Sequence, residues 1–361
     1  MPKTEKRNIL WIDCAKFLAI VAVVVDHSKG ILYEGEAVQY AAFFSVAAFL
    51  FLAGMTSFYS LERRKEEETL PRWVGRRLVR ILIPYLAAVA VYQYVKSGFL
   101  FSLAHFFIWA VHFNVEGSFY FVLIYLQLIL AAPIVYQLTL FCRRGKWSFL
   151  CRGVYLAAAA ALSLLCMKHT FALETYGGGN YLFGGTYLFL FVMGMIAADM
   201  RIRLTSVKSA ALASVLSVVV YGGALAFLLK DRLALDEALF GWTLRVNPPG
   251  ITMIVYTLAF LLLIFSLCSL GALLGNRAAD GVLGVLAWLG KYTLYIYLYH
   301  TIILDYLLPR LTFVSEMSFA KTAVYLAGMI GLPVAGRVLY DLLRRAIGRK
   351  VSEERLLNAP R

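Results

Sequence analysis

Ile12 to Ser28 reads IDCAKFLAIVAVVVDHS. It is an apolar run long enough to cross a bilayer, yet it carries Asp13, Lys16, Asp26 and His27. Lys16 and His27 stand eleven positions apart. On a helix that is three turns plus about 20°, so both side chains leave one face, separated along the axis by roughly 16 Å. A lysine inside a span costs about 2.5–3.5 kcal/mol on insertion scales and usually faces a bundle interior or a water-filled cavity. Asp13, three residues earlier, is placed to pair with it and offset part of that cost. Two readings stand at this point: a structural ion pair with an interfacial histidine, or a functional face.

The rest of the chain repeats the apolar theme. Of 361 residues, 61% are hydrophobic and only 16% charged, and the mean hydropathy is +0.74. A soluble chain of this length carries far more charge. Apolar runs near twenty residues recur from end to end, too long and too uniform for barrel strands. The fold class is therefore all-α integral membrane. Five scattered cysteines form no CxxC or Cys/His cluster, so neither a disulfide framework nor a metal site is expected.

Ten spans are expected, at 8–27, 38–60, 79–98, 118–140, 148–167, 181–200, 209–229, 250–271, 284–307 and 321–341. Residues 1–345 read as one polytopic domain and 346–361 as a basic cytoplasmic tail. The net charge of +14 lies in short connections, which argues for topology rather than nucleic acid. One alternating set of connections, with both chain ends, carries 24 Lys and Arg against six on the other side. The richer set faces the cytoplasm, so both termini are expected inside, in a multi-pass protein of the plasma (inner) membrane. The segment 99–113 is apolar but short, and reads as an interfacial or re-entrant helix.

On this topology Lys16 lies in the cytoplasmic half of the first span and His27 at its outer end. His300 and Glu116 reach the same outer level. Taken singly, these two are more simply interfacial polar residues. Histidine titrates near neutral pH and is the commonest general base. Arg77 and Arg80, in RRLVRILIPY, stand one turn apart at the inner mouth of the third span. They could grip phosphate oxygens with bidentate bonds or serve as ordinary positive-inside anchors. The run Gly177-Gly178-Gly179-Asn180 lacks a following Lys-Ser/Thr and reads as a flexible loop.

Asp13-x-x-Lys16 followed by His27 resembles the signature of membrane-bound acyltransferase family 3, in which Arg or Lys precedes His at this spacing. Phe49-Leu50-Phe51-Leu52-Ala53-Gly54 is similar to the family's FFFLSG run, with Ala53 where Ser is usual, a change expected to touch only helix packing. Arg77-x-x-Arg80 with Pro84-Tyr85 resembles its RxxR…PY segment. Leu289-Gly290-Lys291-Tyr292-Thr293 through His300 resembles its LGxxSxxYLxH block. The resemblance implies O-acyl transfer, usually of acetyl, from cytoplasmic acyl-CoA to a hydroxyl of a glycan, lipid-linked sugar or similar acceptor at the membrane. On that reading His27 is the general base, Lys16 polarises the carbonyl or positions CoA, and Arg77 and Arg80 hold the CoA phosphates. Asp13 supports Lys16, while Glu116 and His300 are candidates for the acceptor side; no metal is required. The competing reading is a transporter of a sugar or glycan intermediate.

Overall fold

The computed structural model describes residues 9–171, 183–239, 247–310 and 319–357. Among them every regular element is helical: α1 Leu10–His27, α2 Glu36–Ala42, α3 Phe44–Glu62, α4 Leu70–Lys96, α5 Leu103–His112, α6 Tyr120–Cys142, α7 Ser148–Phe171, α8 Leu188–Met200, α9 Val207–Asp231, α10 Ala234–Leu239, α11 Ile251–Leu274, α12 Arg277–Leu289, α13 Thr293–Ile302 and α14 Phe319–Leu357. Eight helical stretches among the described residues are long and apolar enough to cross a membrane. Two of the ten expected spans fall outside that set. The first, α1, contains three charged residues, Asp13, Lys16 and Asp26. The sixth, Gly184–Met200, is apolar but shorter than the others.

Several boundaries differ from the expected ones. α4 begins at Leu70 rather than 79, with Pro71 in its first turn, where a missing N–H costs nothing. Its basic N-terminal turns are helix, not loop. The expected span 284–307 belongs to a longer helical run that starts at Arg277, breaks at a 3₁₀ turn over Gly290–Tyr292, and passes after α13 into a π-helical turn at Ile303–Leu307. Asn276 caps the start of that run by accepting from Ala278 N at 2.9 Å. The expected segment 99–113 contains α5, ten residues long and too short to span. α14 continues unbroken past 345 to Leu357. The glycine run 177–180 lies outside the described residues.

Burial sorts the helices into centre and periphery. The apolar stretch within Glu36–Glu62 is 72% buried, against 11% for that of Ser148–Lys168 and 17% for that of α9. The outward faces of α7 and α9 expose Val154, Leu162, Leu212, Val215 and Val219, the kind of surface that lipid chains cover. Packing at the centre depends on small residues. A Cβ on Gly54 of α3 would lie 2.1 Å from the Phe191 carbonyl oxygen of α8, and one on Gly194 would lie 2.0 Å from that of Phe51. The two backbones therefore cross in reciprocal contact, as small residues allow between membrane helices. Beside them, Asp199 at the last turn of α8 has a fully buried side chain and pairs with Arg143 at 3.4 Å and with Arg152. α1 lies in the middle of the bundle against α3, α11, α12 and α13.

Candidate active site

α1 presents its charged face to a cavity of about 620 Å³. At its first-turn end Lys16 Nζ donates to Asp13 Oδ1 at 3.1 Å, the pairing expected from their spacing. Both line the cavity, as do Arg77 and Arg80 of α4. Arg77 is held: its Nη1 donates to Ser57 Oγ at 3.3 Å, and its guanidinium lies 5.0 Å from the Trp73 ring centroid. Trp73 is itself buried and donates to Ser60 Oγ at 3.0 Å. Arg80 is exposed and has no protein partner among the described residues, so its five N–H donors remain available.

Lys291 joins the same end of the cavity through the break between α12 and α13. The break packs tightly against α1: a Cβ on Gly290 would lie 2.0 Å from the Asp13 carbonyl oxygen and 2.7 Å from its carbon. Glycine is what lets the 3₁₀ turn carrying Lys291 reach the helical turn carrying Asp13 and Lys16. The wall thus gathers four cations at one end, Lys16, Arg77, Arg80 and Lys291, against the single carboxylate Asp13. Such a cluster matches a polyanionic group carrying several phosphates.

His27 stands at the opposite end of α1, exposed to the same cavity. Between the two ends the wall is mainly apolar and aromatic, with Val46, Phe49, Ala53, Phe121 and Tyr125. Ala53 therefore faces the cavity, while the helix contact falls to Gly54; the Ser-to-Ala difference alters the wall rather than the packing. Around His27 the wall turns polar again, with Asp26, Ser118, Tyr297 and Asn247. Gln39 Nε2 donates to Asp26 Oδ1 at 3.1 Å and its Oε1 accepts from Lys29 at 2.8 Å, fixing that carboxylate. Asn247 is presented by the segment before α11. The first turn of α11 that follows is held by Asp236 of α10, which accepts from Thr252 N at 3.1 Å and whose carboxyl burial pushes above the usual carboxylate range.

Of the two further outer-end candidates, neither is among the cavity-lining residues. Glu116 pairs with Lys96 at 3.0 Å behind the wall, next to Gly117 and Ser118, which do line it. His300 is fully buried in α13 directly behind His27, with ring centroids 5.0 Å apart. Five of the seven candidate residues read from sequence thus share one cavity, and a sixth touches His27. Lys291 and Asn247 were not singled out, and Asp26 was named in the first helix without a role. Lys291 sat in plain view inside the quoted LG block; for Asn247, amid a polar connection, no sequence signal pointed to a cavity.

A family model described as an acyltransferase domain matches residues 9–338. The chain belongs to acyltransferase family 3. That match runs from the start of α1 almost to the end of the described bundle and includes every residue of the cavity wall. No curated protein and no solved structure matches this acyltransferase-family chain. Membership makes the cavity the candidate place of acyl transfer, and no group of His, Cys, Asp and Glu suited to holding a metal occurs among the described residues.

Proposed function

We propose that the chain is a membrane O-acyltransferase that moves an acyl group, usually acetyl, from acyl-CoA to a hydroxyl of a cell-surface glycan, lipid-linked sugar or similar acceptor. The observation that carries this reading is one continuous cavity with a cation cluster at one end and His27 at the other. Arg77, Arg80 and Lys291 bind the CoA phosphates, and the pantetheine arm extends along the apolar middle. The roughly 16 Å between Lys16 and His27 along α1 is a distance that an extended pantetheine bridges.

The step follows from the groups present. His27 accepts the proton of the acceptor hydroxyl while that oxygen attacks the thioester carbonyl carbon. A C–O bond forms, the C–S bond breaks, and the CoA thiolate leaves, taking the proton back from the His27 imidazolium. Lys16, neutralised in part by Asp13, attracts the donor and positions it. On this reading the Arg77 end is cytoplasmic, since that is the side rich in Lys and Arg. The site is reached by donor from inside and acceptor from outside. Nothing in the fold or the family match favours a transporter of a sugar or glycan intermediate.

The test is to incubate membranes containing the protein with radiolabelled acetyl-CoA and extracted cell-envelope fractions. Label appearing in an alkali-labile ester on a glycan or lipid-linked sugar is the expected result. Label that enters no fraction while acetyl-CoA stays intact contradicts the proposal.

A further inference from the structure

His300 is an unusual neighbour for a general base. Its side chain is fully buried, and its Nδ1 lies 2.8 Å from the Tyr297 carbonyl oxygen and 3.2 Å from that of Ile296. Carbonyl oxygens only accept, so Nδ1 carries the hydrogen and the Nε2 of the neutral ring bears a lone pair. That Nε2 is buried without any hydrogen-bond partner among the described residues. Buried polar atoms are nearly always paired, and an exception calls for a physical reason.

The ring beside it supplies one. His27 and His300 have centroids 5.0 Å apart and ring planes at 69°. An N–H···N bond of about 2.9 Å, with each ring nitrogen about 1.1 Å from its centroid, places two imidazoles about 5.1 Å apart. The separation is therefore within reach of such a bond: as placed the two rings meet edge-on and Nε2 is unpaired, and a turn of the exposed His27 ring brings its N–H to it. Rotation of the rings about the N···N axis leaves such a bond intact, so steeply inclined planes are no obstacle.

The surroundings hold His300 rather than His27. Thr301, its neighbour, bonds the Tyr92 hydroxyl at 2.5 Å, and Ile302 N donates to that same oxygen at 3.0 Å. One turn earlier the Tyr297 hydroxyl donates to the Ser118 carbonyl. α13 is thus pinned on both sides of His300, to α4 and to the segment before α6, while His27 is open to the cavity. A π-helical turn begins immediately after, at Ile303–Leu307, a geometry frequent at functional sites.

We propose that His300 is a positioning residue for His27. When the cavity-facing His27 ring turns towards it, the buried Nε2 accepts the His27 ring N–H, which selects one tautomer and directs the other ring nitrogen to the acceptor hydroxyl. As His27 takes the proton, the same bond stabilises the imidazolium through a neutral acceptor, the task that a carboxylate performs in a Ser-His-Asp triad. The inference rests on His27 being the base, and the test separates the two.

Purified His300→Phe, His300→Gln and His27→Ala proteins are compared with wild type, using acetyl-CoA as donor and envelope glycan as acceptor and following release of the CoA thiol. His300→Phe keeps an aromatic ring but no acceptor, so kcat falls roughly 10- to 100-fold with the KM for acetyl-CoA unchanged. His300→Gln offers an amide oxygen and recovers most of that loss. Turnover of His300→Phe within twofold of wild type, or equal kcat for the Phe and Gln variants, overturns the proposal. If His300→Phe fails to fold, a folded His300→Gln with fully lost turnover overturns it too. An inactive His27→Ala beside an active His300→Phe removes only the role of His300, whereas an active His27→Ala removes the base itself.

Discussion

Replacing Gly290 by alanine tests whether the cation end of the site is assembled by one backbone contact. The added Cβ would lie 2.0 Å from Asp13 O, whereas ordinary van der Waals contact starts at 3.4 Å, so the backbones must separate by up to 1.4 Å. The obstacle is backbone on both sides, and neither α1 nor the 3₁₀ turn can rotate a side chain out of the way. Overpacking of this kind costs about 1–3 kcal/mol. A displacement near 1 Å at a site of positioned groups can cost about 10²-fold in rate. Gly284, in the helix that leads into Gly290, would have nothing within 4 Å of an added Cβ and serves as the control. Gly284→Ala should be neutral or stabilise by about 0.5–1 kcal/mol. Thermal unfolding in detergent and thiol release from acyl-CoA read the two effects. A Gly290→Ala protein with wild-type melting temperature and turnover would refute the idea that this contact sets the register of Lys16 and Lys291.

Two other outcomes follow from the site and its setting. Arg77→Ala combined with Arg80→Ala should raise the KM for acyl-CoA at least tenfold while leaving insertion intact, since a hydrogen bond to a charged group is worth about 1.5–3 kcal/mol; titration of initial rates against donor concentration checks it, and an unchanged KM leaves both as anchors only. Of single cysteines placed at Lys65 and Arg232, in a background lacking the five native cysteines, the one at 232 should label on intact cells with a membrane-impermeant maleimide and the one at 65 only after permeabilisation, because the connection bearing Lys65 belongs to the basic side; labelling of intact cells at 65 and not at 232 inverts the topology.

Much of the site was legible because its residues violate the rule of their surroundings. Lys16 and His27 stand out in an apolar helix, and helical spacing alone puts them on one face. Arg77 and Arg80 were visible as cations one turn apart, although their setting was misjudged. Counting arginines as loop placed the start of α4 near 79, whereas Thr69-Leu70-Pro71 is the better signal for a helix start. The break at Gly290–Tyr292 was hidden because the residues on either side are as apolar as a continuous span, and only a backbone contact with Asp13 shows why it is there. The tertiary pairing of His27 with His300 likewise has no local signature: the two residues are on different helices far apart in sequence. α1 falls outside the eight long apolar stretches because the charges that line its cavity face also lower its apolar character.

His27→Ala remains the most direct measurement of the central claim. Turnover of acyl-CoA in the presence of acceptor should fall by about 10²–10⁴-fold. Acyl-CoA binding should persist, because the cation cluster lies at the other end of α1. His27→Gln should not restore the rate, since an amide can hydrogen-bond but cannot take up a proton at neutral pH. Transfer at near wild-type rate by a folded His27→Ala protein would contradict the account.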